Sequence, residues 1–110
     1  MQVEQSITLN FSSIKTIDEL YDELAFHLGF PDVFGRNIDA VIDCMFGIRY
    51  PDEGMMKISI SQSGCLSLKI KNFSSADVKL KDSIIYIAEF VNYKYQYKGL
   101  EPAILLCFIK

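Results

Sequence analysis

Apolar and polar residues alternate near the start of the chain, over residues 7–11. This period of two predicts a strand with one covered face, because successive side chains of a strand point to opposite sides. From Thr16 the apolar residues recur at helical spacing, and Gly29 ends that pattern. Since Thr16 followed by Glu19 matches a capping box, a helix is predicted between Thr16 and Gly29.

A second, shorter helical pattern covers residues 38–46, with Asn37 as its expected N-cap and Gly47 as its expected end. Most of its circumference is apolar. The exception is a stripe formed by Asp39 and Asp43, which are four residues apart and therefore neighbours on one helix face. The sequence thus predicts a helix with two carboxylates at the border of an apolar surface.

The second half of the chain begins with two alternating segments, 57–61 and 66–71, which predict a β-hairpin. A long helix is predicted over residues 81–98, and the apolar segment 104–109 predicts a fully buried last strand. The resulting order, β-α-α-β-β-α-β, indicates the α/β class. We expect a single domain over residues 1–110, in which a small mixed or mostly parallel β-sheet is packed with about three α-helices.

Two apolar stripes follow the predicted long helix. One consists of Ile84, Ile87, Val91 and Tyr95, and the other of Tyr86, Phe90, Tyr93 and Tyr97. One of them has to face the core. We expect both to be largely buried, with the hairpin covering the stripe that does not face the core. The alternative is that this second stripe is an exposed contact or dimer surface.

Charge is distributed unevenly along the chain, whose net charge is −3. The first 55 residues contain ten acidic and three basic side chains, whereas the remaining residues contain four acidic side chains and eight lysines. The acidic total disfavours direct binding to nucleic-acid phosphates. An acidic front half instead favours encounter with a basic protein partner.

The cysteine content and the length of the apolar runs indicate the cellular compartment of the protein. Cys44, Cys65 and Cys107 are far apart and odd in number, which favours reduced thiols over disulfides or a zinc site. The first residues lack the features of a signal peptide, and the longest apolar run, 103–109, is far shorter than a membrane span. We therefore expect a cytoplasmic protein that does not associate with a membrane and that uses no metal, cofactor or small-molecule substrate.

The segment 30–45, FPDVFGRNIDAVIDCM, resembles the signature of the barstar family. The matching residues are Pro31, Phe34, Gly35, Asn37, Asp39, Ala40, Asp43 and Cys44. The resemblance is specific over residues 14–47 and only architectural after Tyr50. It implies a barstar-like fold and a small intracellular inhibitor, which places its second helix and the preceding loop in the active site of a ribonuclease.

The resemblance also implies which residues touch the partner. Asp43 would be the central carboxylate facing the Arg/Lys cluster of the nuclease, with Asp39 beside it. Together with Phe46, which flanks the acids, the complete expected set is Val33, Phe34, Gly35, Arg36, Asn37, Asp39, Ile42, Asp43 and Phe46. The family's type member has aromatic rings at the positions of Val33 and Ile42 and an acid at Arg36. These departures imply a different target toxin.

Three classes of function follow from the acidic helix. The leading one is an immunity or antitoxin protein that inhibits a basic ribonuclease toxin. The second is a non-inhibitory interaction module that uses the same helix on another basic partner. The third is an enzyme with Asp39 and Asp43 as an acid/base pair or Mg²⁺ ligands. The enzyme has the least support, because the sequence contains neither a Ser/Cys–His pair nor a phosphate-binding glycine loop.

Overall fold

A computed structural model of the protein describes residues 2–110. In chain order its elements are β1 (Gln2–Asn10), α1 (Ile17–Leu28), α2 (Ile38–Phe46), β2 (Gly64–Lys71), α3 (Val78–Tyr97) and β3 (Ile104–Ile109). Two short 3-10 turns, Gly47–Arg49 and Pro51–Glu53, follow α2. The predicted α/β class and the three helices are confirmed.

The sheet has three strands in the order β1-β2-β3, and both strand pairs are parallel. In the register of the sheet, Leu68 of β2 lies between Ile7 of β1 and Leu106 of β3. The central strand β2 buries every residue except Lys69 and Lys71. A parallel sheet requires crossover connections, and the helices supply them: α1 and α2 between β1 and β2, and α3 between β2 and β3.

The predicted hairpin is wrong, because residues 57–61 form no strand. β2 is already paired along both edges, which leaves no place for an antiparallel neighbour. The segment is instead held by the helical half of the molecule: Lys57 N–H donates to the carbonyl oxygen of Leu28 (3.1 Å), and Ile60 N–H donates to that of Ile48 (3.0 Å). Burial of Ile60 in the core, with Ile58 packed against that core, produces the same alternation as a strand.

The last strand is correctly located but is not fully buried. β3 is an edge of the sheet, and along it Ile104 is buried while Cys107 and Phe108 are exposed. The ring of Phe108 packs against Phe73, with 4.7 Å between centroids, and still remains 52% exposed. A run of apolar residues on an edge strand has only one face covered by the core.

Local capping determines where the helices begin. The Thr16 hydroxyl accepts from Glu19 N–H (3.1 Å), while the Glu19 carboxylate accepts from Thr16 N–H (3.0 Å), so the predicted capping box is present. Asn37 caps α2 through its side-chain oxygen, which accepts from Ala40 N–H at 2.9 Å. α3 begins three residues earlier than predicted, because Asp77 is its N-cap and accepts from the backbone of Lys79 (2.8 Å).

The buried side chain of Arg49 joins the segments that lead into β2 and β3. It is 3% exposed. Its guanidinium donates hydrogen bonds to the backbone carbonyl oxygens of Ser61, Gly64, Glu101 and Pro102. The guanidinium carbon also lies 4.6 Å from the centre of the Tyr95 ring. Carbonyl dipoles and an aromatic face therefore replace water around this charge.

The two stripes of α3 have opposite environments. The stripe of Ile84, Ile87, Val91 and Tyr95 is buried in the core, as one of the two had to be. The other stripe is not covered: Tyr86 is 45% exposed, Phe90 40%, Tyr93 57% and Tyr97 84%. The expectation that both stripes are buried is therefore wrong. No hairpin forms within residues 2–110 to lie over α3, so its outer face meets solvent.

Candidate partner-binding site

Helix α2 has one face in the core and one in solvent. Val41, Cys44 and Met45 are buried, whereas Asp39 and Asp43 are exposed. Both predicted carboxylates thus project outward from a helix that the core holds in place.

Ile42 does not belong to the contact surface that was predicted for it. Its side chain is only 3% exposed and forms part of the core cluster. On the helical wheel Ile42 lies at the border of the apolar face, and the packing of α2 against α3 places that border inside. The residue can support Asp39 and Asp43 from beneath, but it offers no surface to a partner.

Cys44 is a buried apolar residue, as expected. It is 2% exposed, and burial raises the pKa of its thiol, with the neighbouring Asp43 carboxylate adding to the effect. A thiol with a raised pKa is a poor nucleophile. The chemistry of this surface therefore lies in its carboxylates.

The two carboxylates of α2 differ in their surroundings. Oδ1 of Asp43 lies 3.1 Å from Nζ of Lys94 on α3, and 65% of the Asp43 side chain remains exposed. Among residues 2–110, no cation lies within ion-pair distance of Asp39. One carboxylate is therefore free to meet a partner, and the other carries an internal counterion.

Arg36 is turned back onto α1. Its Nη2 lies 2.9 Å from Oδ1 of Asp22 and donates to the backbone oxygen of Asp18 at 2.8 Å, while its Nε lies 3.3 Å from Oδ1 of Asp18. Two carboxylates thus compensate the positive charge of Arg36. The contacts also tie the loop before α2 to the start of α1, which restricts the loop's freedom to move.

The rest of this loop is partly packed. Phe34 is half-buried, with its ring edge-on to Phe30 at 5.4 Å between centroids. Gly35 has no positive φ, but an added Cβ would lie 3.1 Å from the Cβ of Ala40, so this glycine permits a close approach to α2. Val33 is 93% exposed. Val33 is therefore the apolar side chain of the loop that a partner can reach most easily.

Phe46, at the end of α2, forms one wall of an open groove. Its ring centroid lies 4.4 Å from that of Tyr95, which donates a hydrogen bond to the Phe46 carbonyl oxygen. The groove has a volume of about 420 Å³ and is lined by Asp43, Phe46, Gly47, Tyr50, Glu53, Met55, Lys94 and Lys98. It combines aromatic rings with charges of both signs.

Sequence reasoning missed the lysines of this groove. Nζ of Lys94 lies 4.9 Å from the centre of the Phe46 ring, and Nζ of Lys98 lies 5.3 Å from it. The two lysines are four residues apart and therefore share one face of α3. That spacing was a usable signal, but nothing in the sequence indicated that this face adjoins the acids of α2.

The arrangement can form charge-assisted hydrogen bonds with a basic partner. Asp39 and the exposed part of Asp43 supply acceptors, and a carboxylate that accepts from Arg or Lys makes one of the stronger hydrogen bonds in proteins. Within residues 2–110, no three His, Cys, Asp or Glu side chains group together as metal ligands. In the same range, no helix combines the length and apolar content needed to span a membrane.

Comparison with known proteins agrees with these features. The family model described as Barstar (barnase inhibitor) matches residues 4–89. A Bacillus subtilis (strain 168) protein named "Putative ribonuclease inhibitor YrdF" is 40% identical over 43 residues, which are 39% of this chain and 47% of that protein. The match thus spans about half the length of this relative. Since the family model covers most of the length of this chain, the chain belongs to the barstar family.

Proposed function

We propose that this protein inhibits a basic ribonuclease by covering its active site with the loop before α2 and the exposed face of α2. The observation that carries the proposal is the pair Asp39 and Asp43, which lie exposed on a capped helix whose other face is in the core. Membership of a family described as barnase inhibitors supports it. So does the name of the Bacillus subtilis relative, which calls that protein a ribonuclease inhibitor.

The physical basis is the replacement of phosphate by carboxylate. A ribonuclease holds the phosphates of RNA with lysine and arginine side chains in a concave, positively charged cleft. A carboxylate on a rigid helix accepts charge-assisted hydrogen bonds from the same donors. It loses little conformational freedom on binding, because the helix is already in place. Asp39 would accept directly, and Asp43 would exchange Lys94 for a cation of the ribonuclease.

The surface that we propose for this contact consists of Val33, Phe34, Gly35, Arg36, Asn37, Asp39, Asp43 and Phe46. Val33 and Phe46 supply apolar area on either side of the acids. Gly35 and Asn37 act by positioning, since Gly35 allows the loop to approach α2 and Asn37 caps the helix. Arg36 acts through its link to α1, which orders the loop.

The cellular role that fits such an inhibitor is immunity to a ribonuclease toxin, exerted in the cytoplasm of a bacterium. Cys44 and Cys65 are free and buried, and Cys107 is free and exposed. Free thiols are typical of a reducing compartment. The inhibitor would there protect the RNA of the cell that makes it.

The experiment is an RNA-cleavage assay with purified proteins. The ribonucleases are barnase and any ribonuclease found to be encoded beside the gene for this chain, each titrated with the chain while a fluorogenic RNA is cleaved. We expect at least one of the ribonucleases tested to lose its activity at about one equivalent of the chain. Undiminished cleavage by every ribonuclease tested, at a large excess of the chain, would contradict the proposal.

Two controls separate the remaining classes of function. A complex that forms, as seen by calorimetry, while cleavage continues would identify a non-inhibitory interaction module. The chain incubated alone with the RNA and Mg²⁺ tests for an enzyme, and we expect no cleavage and no heat of Mg²⁺ binding.

A further inference from the structure

The outer face of α3 carries an aromatic seam that neither the fold nor the proposed inhibition uses. The seam consists of Tyr86, Phe90, Tyr93 and Tyr97, which are 40–84% exposed. With about 100° between successive residues of a helix, the mean direction of these rings is about 135° from that of the buried stripe of α3. The seam therefore lies on the solvent side of the helix and not on its core side.

The four rings form a continuous row along three turns of the helix. Successive ring centroids are 5.4, 5.9 and 6.5 Å apart, distances at which aromatic rings attract one another. At roughly 200 Å² per aromatic side chain, the exposed fractions amount to about 450 Å² of ring surface. A standard protein interface buries about 800 Å² on each partner. The seam alone supplies more than half of that area.

The spacing of the seam is that of a coiled coil. Its 4-3-4 intervals place Phe90 and Tyr97 at heptad position a, and Tyr86 and Tyr93 at position d. These are the positions that meet the partner helix. A surface with this repeat is complementary to another helix with the same repeat, as happens when two identical helices pair.

Charges on the two borders of the seam specify the partner and its direction. In this heptad Glu89 is at position g and Lys94 is at position e, five residues later. Each lines a shallow hollow that also contains rings of the seam. When two such helices lie parallel, Glu89 of each copy faces Lys94 of the other. The ammonium group of Lys94 has three donors, so it can bind Glu89 of a second copy while it remains bonded to Asp43.

We propose that the aromatic seam joins two copies of this chain through a parallel, two-fold pairing of their α3 helices. Each ring then packs against its own counterpart, and two Glu89–Lys94 ion pairs flank the rings. The dimer does not depend on the inhibition of a ribonuclease. Its area is at the lower end for specific complexes, so the copies would exchange with a dissociation constant in the micromolar range, about 1–100 μM.

The test is sedimentation equilibrium of the full chain between about 1 μM and about 1 mM, a range that brackets such a constant. We expect a monomer–dimer equilibrium. Phe90→Glu should weaken the dimer at least about tenfold, because it places two carboxylates in the seam. Tyr97→Glu, at the most exposed ring, should do the same without disturbing the fold. The control is Phe26→Glu on α1, a 79% exposed aromatic outside the seam, which should leave the dimer unchanged.

The direction of pairing is tested by charge reversal. Glu89→Lys and Lys94→Glu should each weaken the dimer about five- to tenfold, and the double variant should restore it to within about threefold. Failure of this rescue would overturn the parallel pairing. A monomer over the whole concentration range, or a dimer indifferent to Phe90→Glu and Tyr97→Glu, would overturn the dimer. The dimer is also overturned if the chain is monomeric and the seam variants instead weaken ribonuclease binding, since the seam would then contact the ribonuclease.

Discussion

Lys94 of α3 forms an ion pair with Asp43, at the place that a cation of the partner would take under the proposed function. The distance from Nζ to Oδ1 is 3.1 Å, and the two side chains are 35% and 65% exposed. An ion pair with this much solvent access contributes only about 0–1 kcal/mol to folding. Separating Asp43 from Lys94 therefore costs little free energy. Lys94 would compete with a cation of the partner for the Asp43 carboxylate.

The competition leads to a prediction for Lys94→Ala. Removal of the lysine should leave the free energy of unfolding within about 1 kcal/mol of the wild type. It should strengthen binding to the proposed target ribonuclease by up to about fivefold, because Asp43 no longer has to give up a pair worth about 0–1 kcal/mol. Surface plasmon resonance measures the binding. Lys98→Ala is the matched control, since it removes the same charge from the same groove but not the bond to Asp43.

Equal effects of Lys94→Ala and Lys98→Ala on the affinity would mean that the affinity depends only on the net charge of the groove and not on the bond between Lys94 and Asp43. Weaker binding by Lys94→Ala would show that the lysine itself contacts the partner, and would contradict the competition.

Arg49 should be far more important for stability than any ion pair at the surface. Replacement by methionine keeps an apolar stem of similar length but removes the guanidinium from four carbonyl oxygens, of which that of Ser61 still accepts from Gly64 N–H. We expect Arg49→Met to lower the free energy of unfolding by about 3 kcal/mol or more in urea denaturation. Arg36→Met, which opens exposed ion pairs only, should cost less than about 1 kcal/mol. Similar losses in the two variants would refute this assignment.

Tyr95 should make the protein sensitive to alkali. Burial raises the pKa of its hydroxyl from 10.0 to about 12. Because the folded-state pKa is the higher one, the proton is held more tightly in the folded state. The resulting contribution to stability is complete below pH 10 and is lost as the pH rises through about 12. The free energy of unfolding should therefore fall between these two pH values.

Tyr95→Phe provides the comparison for this pH dependence. The variant lacks the hydrogen bond to the Phe46 carbonyl oxygen, so it should be less stable at neutral pH. Its stability should also decline less steeply above pH 10, since the titrating group is gone. Parallel pH profiles of the two proteins would show that other groups cause the alkaline loss.

Features governed by neighbouring residues in the sequence were the predictable ones. The capping box at Thr16 and the cap at Asn37 depend on bonds that span three residues, so the starts of α1 and α2 were correct. The hairpin failed for the opposite reason. Alternation over residues 57–61 reports a half-buried segment, but whether that segment pairs with β2 depends on β1 and β3, which are distant in sequence.

In the candidate site too, features set by neighbouring residues were predictable, and features set by residues distant in sequence were not. Helical spacing placed Asp39 and Asp43 together on one exposed face, and the structure agrees. The counterion of Asp43 is 51 residues away in the chain, and no local pattern could identify it. Burial of Ile42 likewise follows from the packing of α2 and α3, which the wheel of a single helix does not contain.

The most direct measurement is the affinity of Asp43→Asn for the ribonuclease that the chain is proposed to inhibit, determined by calorimetry beside Asp82→Asn. Both variants remove one exposed negative charge, but Asp82 lies on α3, away from the acids of α2. If carboxylates replace phosphates in the ribonuclease cleft, Asp43→Asn binds about 10- to 100-fold more weakly at unchanged thermal stability, while Asp82→Asn binds like the wild type. Equal affinities of the two variants would contradict the role of the α2 carboxylates.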